Sequence, residues 1–134
     1  MNYDFIIRQL LNISKSLNIR IEWSELFNEY TPPASSAKYR SIVMNTNWHN
    51  PNELAFQLAH EIAHIQNHDD CEMAFYHASY SSQERMEREA NLGAIKLLLP
   101  IFKDMGYESN PVTFMQVFNV PGYLFDNVIK NMKN

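Results

Sequence analysis

The feature that most constrains this chain is HEIAH, His60–His64, set inside a segment that reads as an amphipathic helix. Asn50 can cap that helix, Pro51 suits a first helical position that needs no N–H partner, and Glu53 favours the positive helix end. From there to about Asn67, Leu54, Leu58, Ile62 and Ile65 recur on one face, widened by Ala55, Ala59 and Ala63. Gln57, His60, Glu61 and His64 lie off the stripe. Residues four apart project from one helical face, so the two imidazoles can converge on a single cation. Glu61 is offset around the helix, where it can take a proton from metal-bound water without occupying a coordination position.

Two imidazoles leave a catalytic zinc site short of a third protein ligand. The segment ERMEREANLGAIKLLL reads as the next helix. Ser81 and Glu84 form its capping box, and Pro100 is expected to end it. Its second half is apolar nearly all round and should be deeply buried. Glu84, Glu87 and Glu89 stand near its start. Glu87 is the favoured ligand, because Asn91 one turn later could hydrogen-bond a ligand histidine. Glu89 is the runner-up, and the capping box accounts for Glu84. A chance HEIAH on a buried helix would leave two imidazoles and a carboxylate to be desolvated without partners, whereas this acidic cluster supplies one.

The remaining segments outline an α+β fold that is mostly helical, with a small sheet beside the metal helix. Ile6, Leu10, Ile13 and Leu17 mark an amphipathic helix over residues 3–17. IRIEW (Ile19–Trp23) alternates as a strand, Ser24–Tyr30 reads as a short helix, and TPPASSA (Thr31–Ala37) reads as a loop. Tyr39–Asn45 reads as a second strand whose edge could accept an extended peptide. Asp69–Ser82 reads as a loop. After Pro100 the expectation is a short helix near Ile101–Met105, a turn at Gly106, and helices at Val112–Phe118 and Tyr123–Met132 separated by NVPG. The 134 residues are expected to form one domain, with the zinc core at about 39–100 and a helical segment at 101–134.

Composition removes several function classes. The net charge is −4 and the pI about 5.7, which argues against a surface built to coat nucleic acid. Lys130 and Lys133 are too sparse to make a DNA reader of the last two helices, despite their helix-turn-helix outline. Cys71 is the one cysteine, so neither an internal disulfide nor a cysteine-based zinc cluster is available. Arg8, Asn12 and Lys15 interrupt the first apolar stretch, which is therefore no signal peptide, and no apolar run is long enough to span a bilayer. A soluble, cytoplasmic protein is expected.

LAHEIAHIQNH followed by MEREANLGAIKLLLP resembles the ImmA/IrrE family of small zinc metallopeptidase-like proteins. The residues that carry the resemblance are His60, Glu61, His64 and His68, then Glu87, Glu89, Ala90 and Asn91, then Leu98, Leu99 and Pro100. It extends over roughly residues 39–125. It implies a gluzincin-like core in which His60, His64 and Glu87 bind Zn2+ and Glu61 is the general base. It also implies a phage or mobile-element setting, in which such proteins cleave or inactivate a helix-turn-helix repressor and relieve transcriptional silencing. Leu92-Gly93 departs from the family's usual aromatic and alanine, a change expected to alter packing more than chemistry.

Two functions follow as expectations. One is a zinc-dependent endopeptidase acting on a helix-turn-helix repressor, an anti-repressor activity with no direct nucleic-acid contact and no membrane. The alternative is a non-catalytic, zinc-stabilised binding module that sequesters a repressor stoichiometrically. Among lesser candidates, His68 suits a solvent-facing helix end. Tyr76, His77 and Tyr80 are possible oxyanion donors or ordinary loop residues.

Overall fold

A computed structural model describes residues 3–68 and 80–133. It is an α+β, mostly helical fold, as the sequence patterns require. Helix α1 (Tyr3–Ser16) buries Ile6 and Leu10 completely and packs against the metal-motif helix. Asn18, with φ 58°, ends it and turns the chain into strand β1 (Arg20–Ser24). Asparagine tolerates this left-handed conformation better than most residues. The Arg40 guanidinium holds the same turn, donating to the carbonyls of Leu17 and Asn18.

Three strands form the sheet in the order β1-β3-β2. Strand β3 (Ser41–Asn45) is central: it pairs parallel with β1, Ile21 opposite Ile42, and antiparallel with β2 (Ala34–Ser36), Ser35 opposite Ile42. Both neighbours are present, so the expectation that the 39–45 strand offers a free edge is corrected. Among the described residues the outer strands of the sheet are β1 and β2, and β2 lies inside the stretch that reads as a proline-rich loop. Three residues with two serines carry too weak an alternation to announce a strand; pairing with β3 makes it one.

Ser24–Tyr30 is not helical either. Ser24 closes β1, and the carbonyls that follow are taken by asparagine side chains. Asn45 Nδ2 donates to Asn28 O and Thr31 O at 2.7 and 2.9 Å, while Asn47 Nδ2 donates to Glu25 O and Phe27 O at 2.8 and 3.0 Å. Such bonds offer the backbone an alternative to helix formation. They also fix Pro32 and Pro33, which lead into β2.

The metal-motif helix starts as the sequence indicates. Asn50 accepts from Asn52 N, Pro51–Glu53 make a 3-10 turn, and helix α2 runs from Leu54 to Gln66. Leu58, Ala59, Ile62 and Ile65 are fully buried. Helix α3 spans Tyr80–Asp104 in the described chain, so Ser81 lies inside it and not at its cap. Pro100 does not end it, and residues 101–104 continue the same helix. A proline inside a helix costs about 3 kcal/mol. Burying Ile101 and Phe102, 4 % and 1 % exposed, offsets that at about 1.5–3 kcal/mol each.

The chain then folds back on α3. Asn110 caps helix α4 (Pro111–Phe118), accepting from Val112 N and Thr113 N. Phe102, Phe114 and Phe118 form an aromatic cluster, with ring centroids 5.3 Å apart for Phe102–Phe114 and 4.8 Å for Phe114–Phe118. Asn119, in the left-handed region at φ 50°, ends α4. A 3-10 turn (Gly122–Leu124) and helix α5 (Phe125–Met132) follow, with Leu124 and Val128 buried and α5 against α3. No helix among the described residues is long and apolar enough to cross a membrane.

Candidate metal centre

Helices α2 and α3 pack against each other more extensively than any other pair of elements. Gly93 makes the close approach possible. A Cβ built on it would lie 2.7 Å from Ala63 Cβ, closer than carbon atoms tolerate. The departure noted at Leu92-Gly93 is thus a packing feature, and the residue it meets, Ala63, precedes His64 on α2.

On the adjoining face of the seam, His60 Nε2 lies 3.0 Å from Glu87 Oε2, and His64 Nε2 lies 3.0 Å from Glu87 Oε1. The two Nε2 atoms are 3.1 Å apart, with the rings nearly perpendicular at 86°. Zinc–ligand bonds of about 2.0–2.1 Å in a tetrahedron place ligand atoms roughly 3.3 Å apart. All three separations are close to that edge. Hydrogens alone satisfy the cluster poorly. If both imidazoles donate to Glu87, two N–H groups face each other across 3.1 Å; if one is bare, its lone pair faces a carboxylate oxygen. A divalent cation answers both conflicts, so these residues fit a metal.

Glu61 also belongs to this group: one ligand-type atom from each of His60, Glu61 and His64 lies within 4.8 Å of the others. Glu61 is 8 % exposed, whereas the Glu87 side chain is 61 % exposed. Burial pushes the Glu61 carboxyl up from its ordinary value, partly offset by the nearby Ser35 hydroxyl and by His60 and His64. Ser35 Oγ does not, however, reach a well-formed hydrogen bond. Glu87 is affected in the opposite direction, because hydrogen bonds from His60 and His64 hold its carboxyl well below the usual range. One carboxylate therefore touches both imidazoles through its two oxygens, while the other sits buried beside them with a raised affinity for a proton.

Glu89, the other ligand considered, lines a separate cavity with Gln66 and Asn67. His68 is exposed beyond the end of α2, at φ 59°. Asn91 is buried beside Glu87 but makes no hydrogen bond to either imidazole among the described residues. Tyr76 and His77 lie outside the described residues, as does the side chain of Tyr80.

Two adjoining cavities, about 410 and 620 Å³, share Glu87, Asn91 and Tyr123. The smaller contains His60, Glu61 and His64 and is walled by Pro33, Ser35 and Phe56. Sequence reasoning missed Ser35 and Tyr123 as site residues. Ser35 was hidden in an apparent loop, and Tyr123 is brought in from a distant part of the chain by the docking of α5 on α3. Gln57 had a usable signal, because it stands one turn before Glu61 on the polar face of α2.

No curated protein sequence and no solved structure matches this chain significantly. The profile of the IrrE N-terminal-like domain, peptidase family M78, matches residues 15–121, a span that holds all of α2, the described part of α3 as far as Asp104, and α4, and ends before Tyr123. With most of its length inside that match, and with HEIAH and Glu87 brought together as described, the chain belongs to the IrrE N-terminal-like domain family.

Proposed function

We propose that this chain is a zinc-dependent endopeptidase. The observation that carries the reading is the convergence of His60 Nε2, His64 Nε2 and both Glu87 oxygens within 3.0–3.1 Å, beside a buried Glu61 in an open cavity. His60, His64 and Glu87 would hold Zn2+, which when bound supplies a Lewis acid able to acidify water and polarise a carbonyl. Glu61 takes a proton from the water that attacks the scissile carbonyl carbon and returns it to the leaving amide nitrogen. A carboxyl whose pKa burial has raised is better matched to this task than an exposed one. Strand β2, an outer strand of the sheet among the described residues, lines the same cavity through Ala34 and Ser35 and suits an extended peptide, which would add to it by backbone pairing.

The substrate we favour is a helix-turn-helix repressor met in the cytoplasm, with cleavage relieving repression of a phage or mobile element. Family membership is what supports this part of the reading. The test is to incubate the zinc-loaded chain with any helix-turn-helix repressor found encoded beside it. Zinc-dependent loss of intact repressor, abolished in Glu61→Gln, is expected. Stoichiometric binding with no cleavage in either protein would replace the enzyme by a zinc-stabilised sequestering module.

A further inference from the structure

Four large apolar side chains stand in water on one short segment: Leu26 at 94 % exposure, Tyr30 at 66 %, and Trp23 and Phe27 at 38 %. Glu22, Glu25 and Glu29 are interleaved with them and are exposed too. Residues 21–37 hold no Lys or Arg. The backbone beneath these side chains is firmly held. Asn47 Nδ2 donates to the carbonyls of Glu25 and Phe27, Asn45 Nδ2 to those of Asn28 and Thr31, and His49 N to that of Glu29. Carbonyls that share one amide nitrogen lie close together, so residues 25–31 form one compact turn whose side chains project from a single small surface. The Tyr30 ring also packs on His49, with centroids 4.9 Å apart.

A partner that covers this surface removes its apolar area from water, and a turn already fixed loses little entropy on binding. Exposed aromatic side chains on such a turn are suitable anchors. The three carboxylates select the partner's charge. A nucleic-acid backbone, an anionic membrane and the same face of a second copy would all be repelled. The turn also leads straight into the metal cleft, because Pro32 and Pro33 line that cavity.

We infer that the 22–30 turn, outside the metal cleft, is a docking site for a basic amphipathic segment of a protein partner. Identifying that partner with the protein substrate rests on the metallopeptidase reading; the docking itself does not.

The probe is a synthetic helical peptide with leucines on one face and lysines on the other. It is titrated into the full chain carrying Glu61→Gln, so that docking is read without cleavage, with calorimetry for affinity and amide chemical shifts for location. Binding that shifts residues 22–30, weakens with added salt and falls at least about fivefold in Leu26→Ser is expected. Glu22→Gln, Glu25→Gln and Glu29→Gln together should weaken it about tenfold. Asp104→Asn with Glu108→Gln, exposed acidic residues elsewhere, should leave it unchanged. Shifts confined to other residues, equal losses in that control pair, or equal binding of the peptide with glutamates for lysines overturns the site. A dimer of the free chain that Leu26→Ser dissolves assigns the turn to a second copy, and binding to anionic vesicles that Leu26→Ser abolishes assigns it to a membrane; either overturns the inference. Docking lost with cleavage retained in the wild type leaves the peptidase standing, and docking without any cleavage leaves this site standing.

Discussion

Helices α2 and α3 meet along one seam that is built in two different ways. On one strip Ala63 and Gly93 press together with almost no side chain between the backbones. On the adjoining strip His60, His64 and Glu87 reach across with long polar side chains whose ligand atoms stop about 3 Å apart. The Ala63–Gly93 strip has no side chain that can rotate away, so it sets the distance between the helices. The polar strip crowds two imidazoles against the Glu87 carboxylate, with Glu61 buried beside them against its preference for water. Packing on the first strip holds open the geometry that a cation would complete on the second.

The comparison can be broken at four points. The largest effect is expected at Glu61, where Glu61→Gln should lower turnover by at least about 10²–10⁴-fold. Elemental analysis should still find its zinc, because Glu87, and not Glu61, bridges the two imidazoles. Loss of metal in that variant would move Glu61 into the ligand set.

Next comes Glu87→Ala, which should reduce zinc from about one per chain toward none and remove the rise in melting temperature that added zinc gives the wild type. Full zinc retention would mean that the third ligand lies elsewhere.

Gly93→Ala probes the Ala63–Gly93 strip. Overpacking against Ala63 costs about 1–3 kcal/mol, against roughly 1 kcal/mol gained in helix propensity, so a net loss of up to about 2 kcal/mol is expected in denaturant titration. Zinc affinity should fall only modestly, because the Glu87 side chain can follow a shift of tenths of an ångström. A stabilised variant would show that the seam is looser than the Ala63–Gly93 contact implies.

The smallest effect concerns pH in the metal-free protein. Glu87 has a folded-state pKa below its ordinary 4.5, so its stabilisation is complete above that value and is lost as pH falls. Glu61, raised from 4.5, acts with the opposite sign: the stability it lends below that value is lost as pH rises above it. Wild type should therefore lose more stability than Glu87→Gln between about pH 5 and pH 3, read from unfolding midpoints. Equal losses would show that the contacts from His60 and His64 do not favour the Glu87 carboxylate.

Much of this architecture was legible in the residues. Asn50-Pro51 starts the metal helix, the Leu54-Leu58-Ile62-Ile65 stripe turns it toward the core, and the i, i+4 histidines put two imidazoles on one face. The fold brings Glu87, and not Glu89, beside the two histidines, but the hydrogen bond from Asn91 to an imidazole on which the sequence preference rested is not formed among the described residues. These are local properties, and helical periodicity turns spacing directly into direction.

Other features have no local signal. Strand β2 exists because β3 pairs with it, and residues 25–30 are kept from helix by asparagines some 20 positions away. Helix α3 passes through Pro100 because the burial of Ile101 and Phe102 outweighs one lost hydrogen bond. Tyr123 reaches the cleft only through the docking of α5, and Gly93 matters only because Ala63 faces it. By itself the sequence determined which side chains could hold a metal and which helix presents them, because that follows from covalent spacing. Only the tertiary structure decided how closely they meet, what walls surround them and which atoms are left unpaired, because those depend on contacts between segments distant in the chain.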